Sequence, residues 1–493
     1  MINRRQAIKQ MGAMAGAAAM AKYLPGCGGD DGNGGKTGIT TYVYLMLENR
    51  SYDHFFGSRA LLEGKQGDGL AAGMMNPDVN GVEIPPWEPT ADQMCDPDPP
   101  HDWINLHNSW NGGKCDGFVK AHQMDHQSTT LIEPMQYLTR KEAPISYALA
   151  DAYTTCDRYF CSVMGPTLPN RAYWHTATSL GIGPDNNANQ MILDAFGAGI
   201  PVPSIYNQLD AKGVDWCSYY GSISVVSLIG NDGPYKIDLG SNDGTGRLRR
   251  FGDYMGQAGQ FFEDAKNGVL PSVVYIDPFF YVNDDHPPIH PINGQLLVAA
   301  VYQALATSPQ WKNCMLVVTY DENGGFFDHV SPPTTTDDTL AKYGVDGFEQ
   351  MGFRVPTMLI GPYVKQNYVS SVTYDHCSAL KHLTNAFGLD SLNVRVDAAN
   401  DFTDAIDMDR LMRNDPADPI ELPTINLDDW PMDPVACAHA GGFKYDYKDP
   451  ISQWADATGK IPKQYDLRDD PKSYLDGIRN FVLKNQAKGK VGA

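Results

Sequence analysis

The chain has 493 residues, longer than one compact core usually supports, so one large domain with insertions or two domains is expected. With 42% hydrophobic residues a sizeable core is available. The formal net charge of -21 argues against nucleic acid as a partner and against electrostatic docking on anionic membrane, and it leaves metal binding open.

Residues 1–37 read as a targeting segment rather than as structure. Arg4-Arg5 is followed by Gln6, Ala7, Ile8 and Lys9, then by a weakly apolar Ala/Gly/Met-rich run to Leu24. This resembles a twin-arginine export signal, with Asn3, Ala7 and Ile8 in place of its Ser/Thr, Phe and Leu. Lysines and glycines break the run, so it makes a poor membrane span. Leu24-Pro25-Gly26-Cys27 resembles a lipobox, in which Cys27 would carry a lipid anchor, and the Gly/Asp-rich stretch behind it reads as a flexible tether. A periplasmic or cell-surface lipoprotein follows, with plain signal cleavage as the alternative. Eight further cysteines permit disulfides in an exported protein, while Cys314 and Cys377 fall in apolar segments that suit buried thiols.

Tyr42 to Leu47 is an uncharged β-branched, aromatic and aliphatic run, a buried strand, and Glu48-Asn49 stands where it ends. Residues 58–100, rich in Gly, Pro, Asp and Met, read as an excursion from the core. A helix is expected over 144–160 from Pro144 in its first turn, a short strand over 160–164, and a helix after Gly165-Pro166-Thr167. Helix is further expected at 203–212, 294–308 and 376–387, and strand at 214–219, 272–276, 314–320 and 355–360. From about 390 the chain turns irregular, with a last helix near 474–486. The alternation predicts an α/β fold with a mostly parallel sheet. The domain plan is therefore a catalytic domain over 38–390 and an irregular C-terminal region over 391–493, packed on or extending it.

Ligands in open α/β sheets bind at the carboxyl ends of strands. Glu48-Asn49 and Asp321-Glu322 each follow a buried strand, and both offer hard oxygen donors. Neighbouring carboxylates raise each other's pKa unless a cation sits between them, so one divalent metal ion is expected. Ca, Mg, Mn and Zn all remain open. Thr167 opens a helix, where exposed N–H groups favour an alkoxide or a phosphate. His101 and His286 lie in loops flanked by carboxylates, a setting for acid/base or phosphate-binding work.

Four segments resemble the bacterial phospholipase C and acid phosphatase phosphoesterase family, of the alkaline-phosphatase-like superfamily. They are Glu48 to Gly57 (ENRSYDHFFG), Gly165 to Arg171 (GPTLPNR), Asp285 to Pro288 (DHPP) and Asp321 to Val330 (DENGGFFDHV). The resemblance implies an α/β/α sandwich with loop insertions, and a metal ion held by Glu48, Asn49, Thr167, Asp321 and Glu322. It implies Thr167 as nucleophile, with a covalent phospho-threonine intermediate. His101 and His286 would contact the phosphoryl group or protonate the leaving group, with His107 as rival to His101. Asn170, His329 and His107 would bind substrate, a phosphate ester that includes phospholipid among its candidates. The alternative is an exported surface lipoprotein that binds a phosphorylated ligand without turnover.

Overall fold

β1, Thr41–Leu47, is buried at every position, so its two alternating faces are both covered. A computed structural model of the chain describes residues 38–90, 93–94, 98–199, 201–229, 233–241, 245–426, 450–459 and 463–489. Arg4, Arg5, Cys27, Cys95 and Cys437 lie outside the described residues.

The other strands of the main sheet are β2 (Thr154–Cys156), β3 (Trp216–Tyr220), β4 (Leu248–Arg250), β5 (Val273–Asp277), β6 (Cys314–Tyr320), β7 (Met358–Ile360) and β8 (Tyr368–Ser370). Their order is β8-β2-β7-β6-β1-β5-β3-β4. Every pairing is parallel except the two made by β7. The fold is thus α/β with an eight-stranded, mostly parallel sheet. The longest strands, β1 and β6, lie side by side at its centre, where parallel pairing demands apolar residues on both faces.

The helices used below are α1 (Tyr52–Glu63), α2 (Trp103–Trp110), α3 (Phe118–Asp125), α4 (Pro144–Ala152), α5 (Thr167–Thr176), α6 (Ile292–Ala306), α7 (His376–Phe387) and α8 (Pro471–Gly489). On one face of β1, Tyr42 meets His382 and Phe387 of α7, and Tyr44 meets Trp174 of α5. α6 is apolar on most faces and buried along nearly its whole length, and it packs against α4 and α8. Residues 64–138 supply most of a second, smaller core, in which Leu106, Phe118 and Val119 are buried with Met164, Phe327 and Phe353 of the main fold.

Three expectations change. The helix over 144–160 stops at Ala152, because β-branched Thr154 and Thr155 enter the sheet between β7 and β8. No strand forms over 160–164: Tyr159 and Phe160 make only isolated bridges, to Tyr374 and Arg354. The strand over 355–360 shortens to β7, since Pro356 has no N–H to give a ladder. The six described cysteines, Cys115, Cys156, Cys161, Cys217, Cys314 and Cys377, are buried free thiols. Among the described residues beyond 390, short helices precede α8, whose Tyr474 packs on Phe279 and whose Phe481 stacks on Phe262. No helix among the described residues is long and apolar enough to cross a membrane.

Candidate active site

Leu47 of β1 pairs with Tyr320 of β6, so Glu48 and Asp321 leave the sheet side by side at its carboxyl edge. β5 flanks β1 on the other side and ends in Asp277. Asn49 turns at once into the left-handed region (φ 62°), and its N–H donates to Asp321 Oδ1 at 3.1 Å. Asp321 Oδ1 also accepts from the N–H of Glu322 at 2.8 Å, and Glu322 Oε2 accepts from the N–H of Gly324 at 2.7 Å. Gly324 has φ 61°, and a Cβ there would lie 2.2 Å from the Asn49 carbonyl oxygen, so glycine lets the two strand ends approach.

Arg171 spans these ends. Its guanidinium lies 3.2 Å from Glu48 Oε1, 3.6 Å from Asp321 Oδ2 and 3.7 Å from Asp277 Oδ1. Thr167 stands four residues earlier on α5, hence on the same helix face one turn nearer the N-terminus, and it is buried. Asn170 spends its amide on the loop ahead of the helix, donating to the carbonyls of Val163, Gly165 and Pro166 and accepting from the N–H of Val163. It fixes the entry into α5.

The structure brings His101 and His286 together, with ring centroids 5.6 Å apart and Asp98 between them. Asp98 lies 3.7 Å from His101 Nδ1 and 3.8 Å from His286 Nε2. His101 Nδ1 donates to the Pro99 carbonyl at 2.8 Å, which turns Nε2 toward Asn49 Nδ2 (3.2 Å) and Glu322 Oε1 (3.8 Å). His286 Nδ1 donates to the Pro287 carbonyl at 2.7 Å. Burial opposes charge on His101, but Glu322 and Asp98 outweigh it and raise the ring to about 9. Burial, then His101, drives His286 well below the ordinary value. Burial pushes Glu322 up to about 8 and Asp98 up to about 7, and it raises Asp321.

His107 and His329 lie elsewhere. His107 stacks on Trp103, and its Nδ1 bonds the Trp103 carbonyl. His329 sits between two carboxylates, with Nδ1 2.6 Å from Asp53 Oδ2 and Nε2 3.1 Å from Asp68 Oδ1. Arg354 completes that network through Asp53 and Asp328.

The donor set at the strand ends suits a hard cation. Asn49 Oδ1, Asp321 Oδ2 and Glu322 Oε1 are buried and accept no hydrogen bond, which is costly for groups of this polarity. Asn49 Nδ2 can donate to His101 Nε2 only when that nitrogen is unprotonated, whereas the carboxylates favour the protonated ring. A cation on the carboxylates removes the conflict. Among the described residues, the tight His/carboxylate triads are Asp98–His101–His286 and Asp53–Asp328–His329. Glu48, Asp321 and Glu322 form no such triad, and Arg171 stands among them as counter-ion.

Sequence reasoning passed over Asp98, Asp277, Arg171 as a charge bridge, and the Asp53–Asp328–Arg354 network. Asp277 carried a usable signal, since it ends a buried strand as Glu48 does. Asp98 carried none, because an acid in a Pro/Asp-rich loop reads as solvated.

Residues 39–390 match the Phosphoesterase family. Phospholipase C A of Mycobacterium tuberculosis is 33% identical over 387 residues, covering 72% of this chain and 74% of that protein. Non-specific phospholipase C6 of Arabidopsis thaliana is 31% identical over 392 residues, covering 72% and 69%. Non-specific phospholipase C4 of the same plant is 29% identical over 505 residues, covering 92% and 88%. A solved alkaline phosphatase superfamily protein from Vibrio parahaemolyticus gives a TM-score of 0.32 at 13% identity, covering 53% of this chain and 64% of that one, and adds no weight. With the four motifs placed on one sheet edge and its flanking loops, and the match running over most of the chain, this protein belongs to the phosphoesterase family, hydrolases of phosphoric ester bonds.

Proposed function

We propose that the chain is a metal-dependent phosphoesterase of the phospholipase C type, with Thr167 as nucleophile. The observation that carries this is the register of β1 and β6: it sets Glu48-Asn49 beside Asp321-Glu322, with Arg171 of the Thr167 helix laid across them. Glu48, Asn49, Asp321 and Glu322, joined by the Thr167 hydroxyl, would hold a divalent ion. That ion, when bound, lowers the cost of an alkoxide and offsets phosphoryl charge.

The chain's own residues supply the rest. At the start of α5, Leu168 N–H is bonded to Asn189 Oδ1 and Asn170 N–H to the Pro166 carbonyl, and Pro169 has none, so charge on the phosphoryl oxygens is left to Arg171, the histidines and the bound ion. Thr167 Oγ1 attacks phosphorus, the bond to the leaving alcohol breaks, and a phospho-threonine forms. His101, held protonated by Glu322 and Asp98, gives a proton from Nε2 to the leaving oxygen, while His286, neutral with its proton on Nδ1, offers an unprotonated Nε2 to take the Thr167 hydroxyl proton. Water then releases the phosphoryl group from Thr167, as a phosphomonoester such as phosphorylcholine when the substrate is a diester. The named relatives favour a phospholipid as the ester, and family membership weighs against binding without turnover. Export by the twin-arginine segment and lipid anchoring at Cys27 belong to the same proposal. Cys27→Ala should free the protein from membranes, and continued retention would count against the anchor.

The test is single-turnover hydrolysis of p-nitrophenyl phosphorylcholine, with metal content measured on the same samples. Thr167→Ala should lose turnover yet keep metal, and Thr167→Ser should keep both. Near-normal turnover by folded Thr167→Ala would remove the covalent route; Thr167 is the first residue of α5 behind the N-cap Pro166 and makes no cap hydrogen bond.

A further inference from the structure

Five of the large apolar side chains exposed to solvent fall within residues 74–126: Met75 (46% exposed), Val79 (38%), Val82 (56%), Ile104 (51%) and Met124 (69%). They project from one structural unit. The short hairpin of Asn76–Pro77 and Glu83–Ile84 carries Val79 and Val82 near its turn. It rests on α3, since Val79 N–H bonds Gln123 Oε1 at 3.1 Å and Asn76 Oδ1 accepts from Val119 N–H at 3.1 Å. Met124 follows Gln123 at the end of α3. Asn105 of α2 reaches Asp125 at 3.4 Å, which places Ile104 beside the same end.

This unit adjoins the site. His126, just past α3, bonds the Asp98 carbonyl at 3.1 Å, and Asp98 lies between His101 and His286. These apolar side chains stay exposed on a hairpin and on helix ends, and the unit adjoins the loop that carries the site histidines. Their charge setting limits what they meet. Residues 74–126 hold nine acidic and two basic side chains, which opposes an anionic surface and leaves apolar insertion as the attraction.

We propose that Met75, Val79, Val82, Ile104 and Met124 form a docking surface for a zwitterionic lipid layer, which seats the layer against the loop of Asp98 and His101. The proposal rests on the phospholipid reading of the site.

Co-sedimentation of the full chain with phosphatidylcholine vesicles tests it, beside turnover of vesicle lipid and of soluble p-nitrophenyl phosphorylcholine. Val82→Glu with Met124→Glu should weaken vesicle binding by about tenfold or more, since two inserted side chains become charged. Turnover of vesicle lipid should fall in proportion, and turnover of the soluble ester should not change. Val82→Leu with Met124→Leu should keep vesicle binding. Equal binding by wild type and the Glu variant would overturn the proposal. So would a wild-type dimer that the Glu variant splits, with no vesicle binding, which would assign the surface to a second copy. Vesicle binding lost only in the Glu variant supports the docking surface even if neither ester is turned over, a result that would instead overturn the reading of the site.

Discussion

Arg171 is shared by three carboxylates that arrive on three strands, Glu48 on β1, Asp277 on β5 and Asp321 on β6. Arg171→Ala would leave three buried acids without it, at a cost of about 3–5 kcal/mol, read as a lower midpoint in denaturant unfolding. An unchanged midpoint would mean that the acids are neutralised by other means. His329 offers a pH test away from the strand ends. Burial opposes its charge, but the hydrogen bond to Asp53 and the nearby acids raise its pKa above the ordinary 6.5. A folded value above the unfolded one gives stability that is full below 6.5 and is lost as pH rises through the raised value. As pH rises from the ordinary value of 6.5 through the raised one, the wild type should therefore lose stability faster than His329→Gln. Parallel pH profiles would show that the imidazolium contributes nothing. Residues such as Glu48 and Asp321 were legible because each breaks a run of uncharged residues. Asp53, Asp328 and Arg354 were not, because a charge in a mixed segment looks solvated until its partner is known, and Arg354 is 301 positions from Asp53.

At the scale of elements, the tight turn after β6 sets how closely β1 and β6 deliver their side chains. Gly324→Ala must move Asn49 or itself, since the added carbon would lie 2.2 Å from the Asn49 carbonyl oxygen. Such a shift should lower metal affinity by about tenfold or more, because ligands tolerate little misplacement. Metal titration of the purified variant checks this, and wild-type affinity would mean that the turn has slack. The elements themselves were legible in proportion to length. β1, β6, α6 and α7 are long enough for their apolar pattern to decide. α4 was drawn too long because Tyr153 to Cys156 suits helix or strand locally, and pairing with β7 and β8 settles it.

At the scale of the molecule, a divalent ion that binds only the folded chain should raise its unfolding midpoint. At about 100 times its Kd the gain is about 2.7 kcal/mol, and a chelator should reverse it. No shift with Ca, Mg, Mn or Zn would argue against a strand-end metal site. The sheet order has a further consequence, for synthesis. β1 is made first but pairs with β5 and β6, so Tyr42 waits for Val273 and Leu47 for Tyr320. At roughly 5–20 residues per second, tens of seconds separate the emergence of Glu48 from that of Asp321. For most of that interval, until β5 is made, Tyr42 to Leu47 is an apolar, strand-forming segment with neither neighbour, so the nascent chain is open to chaperone capture and to misassociation.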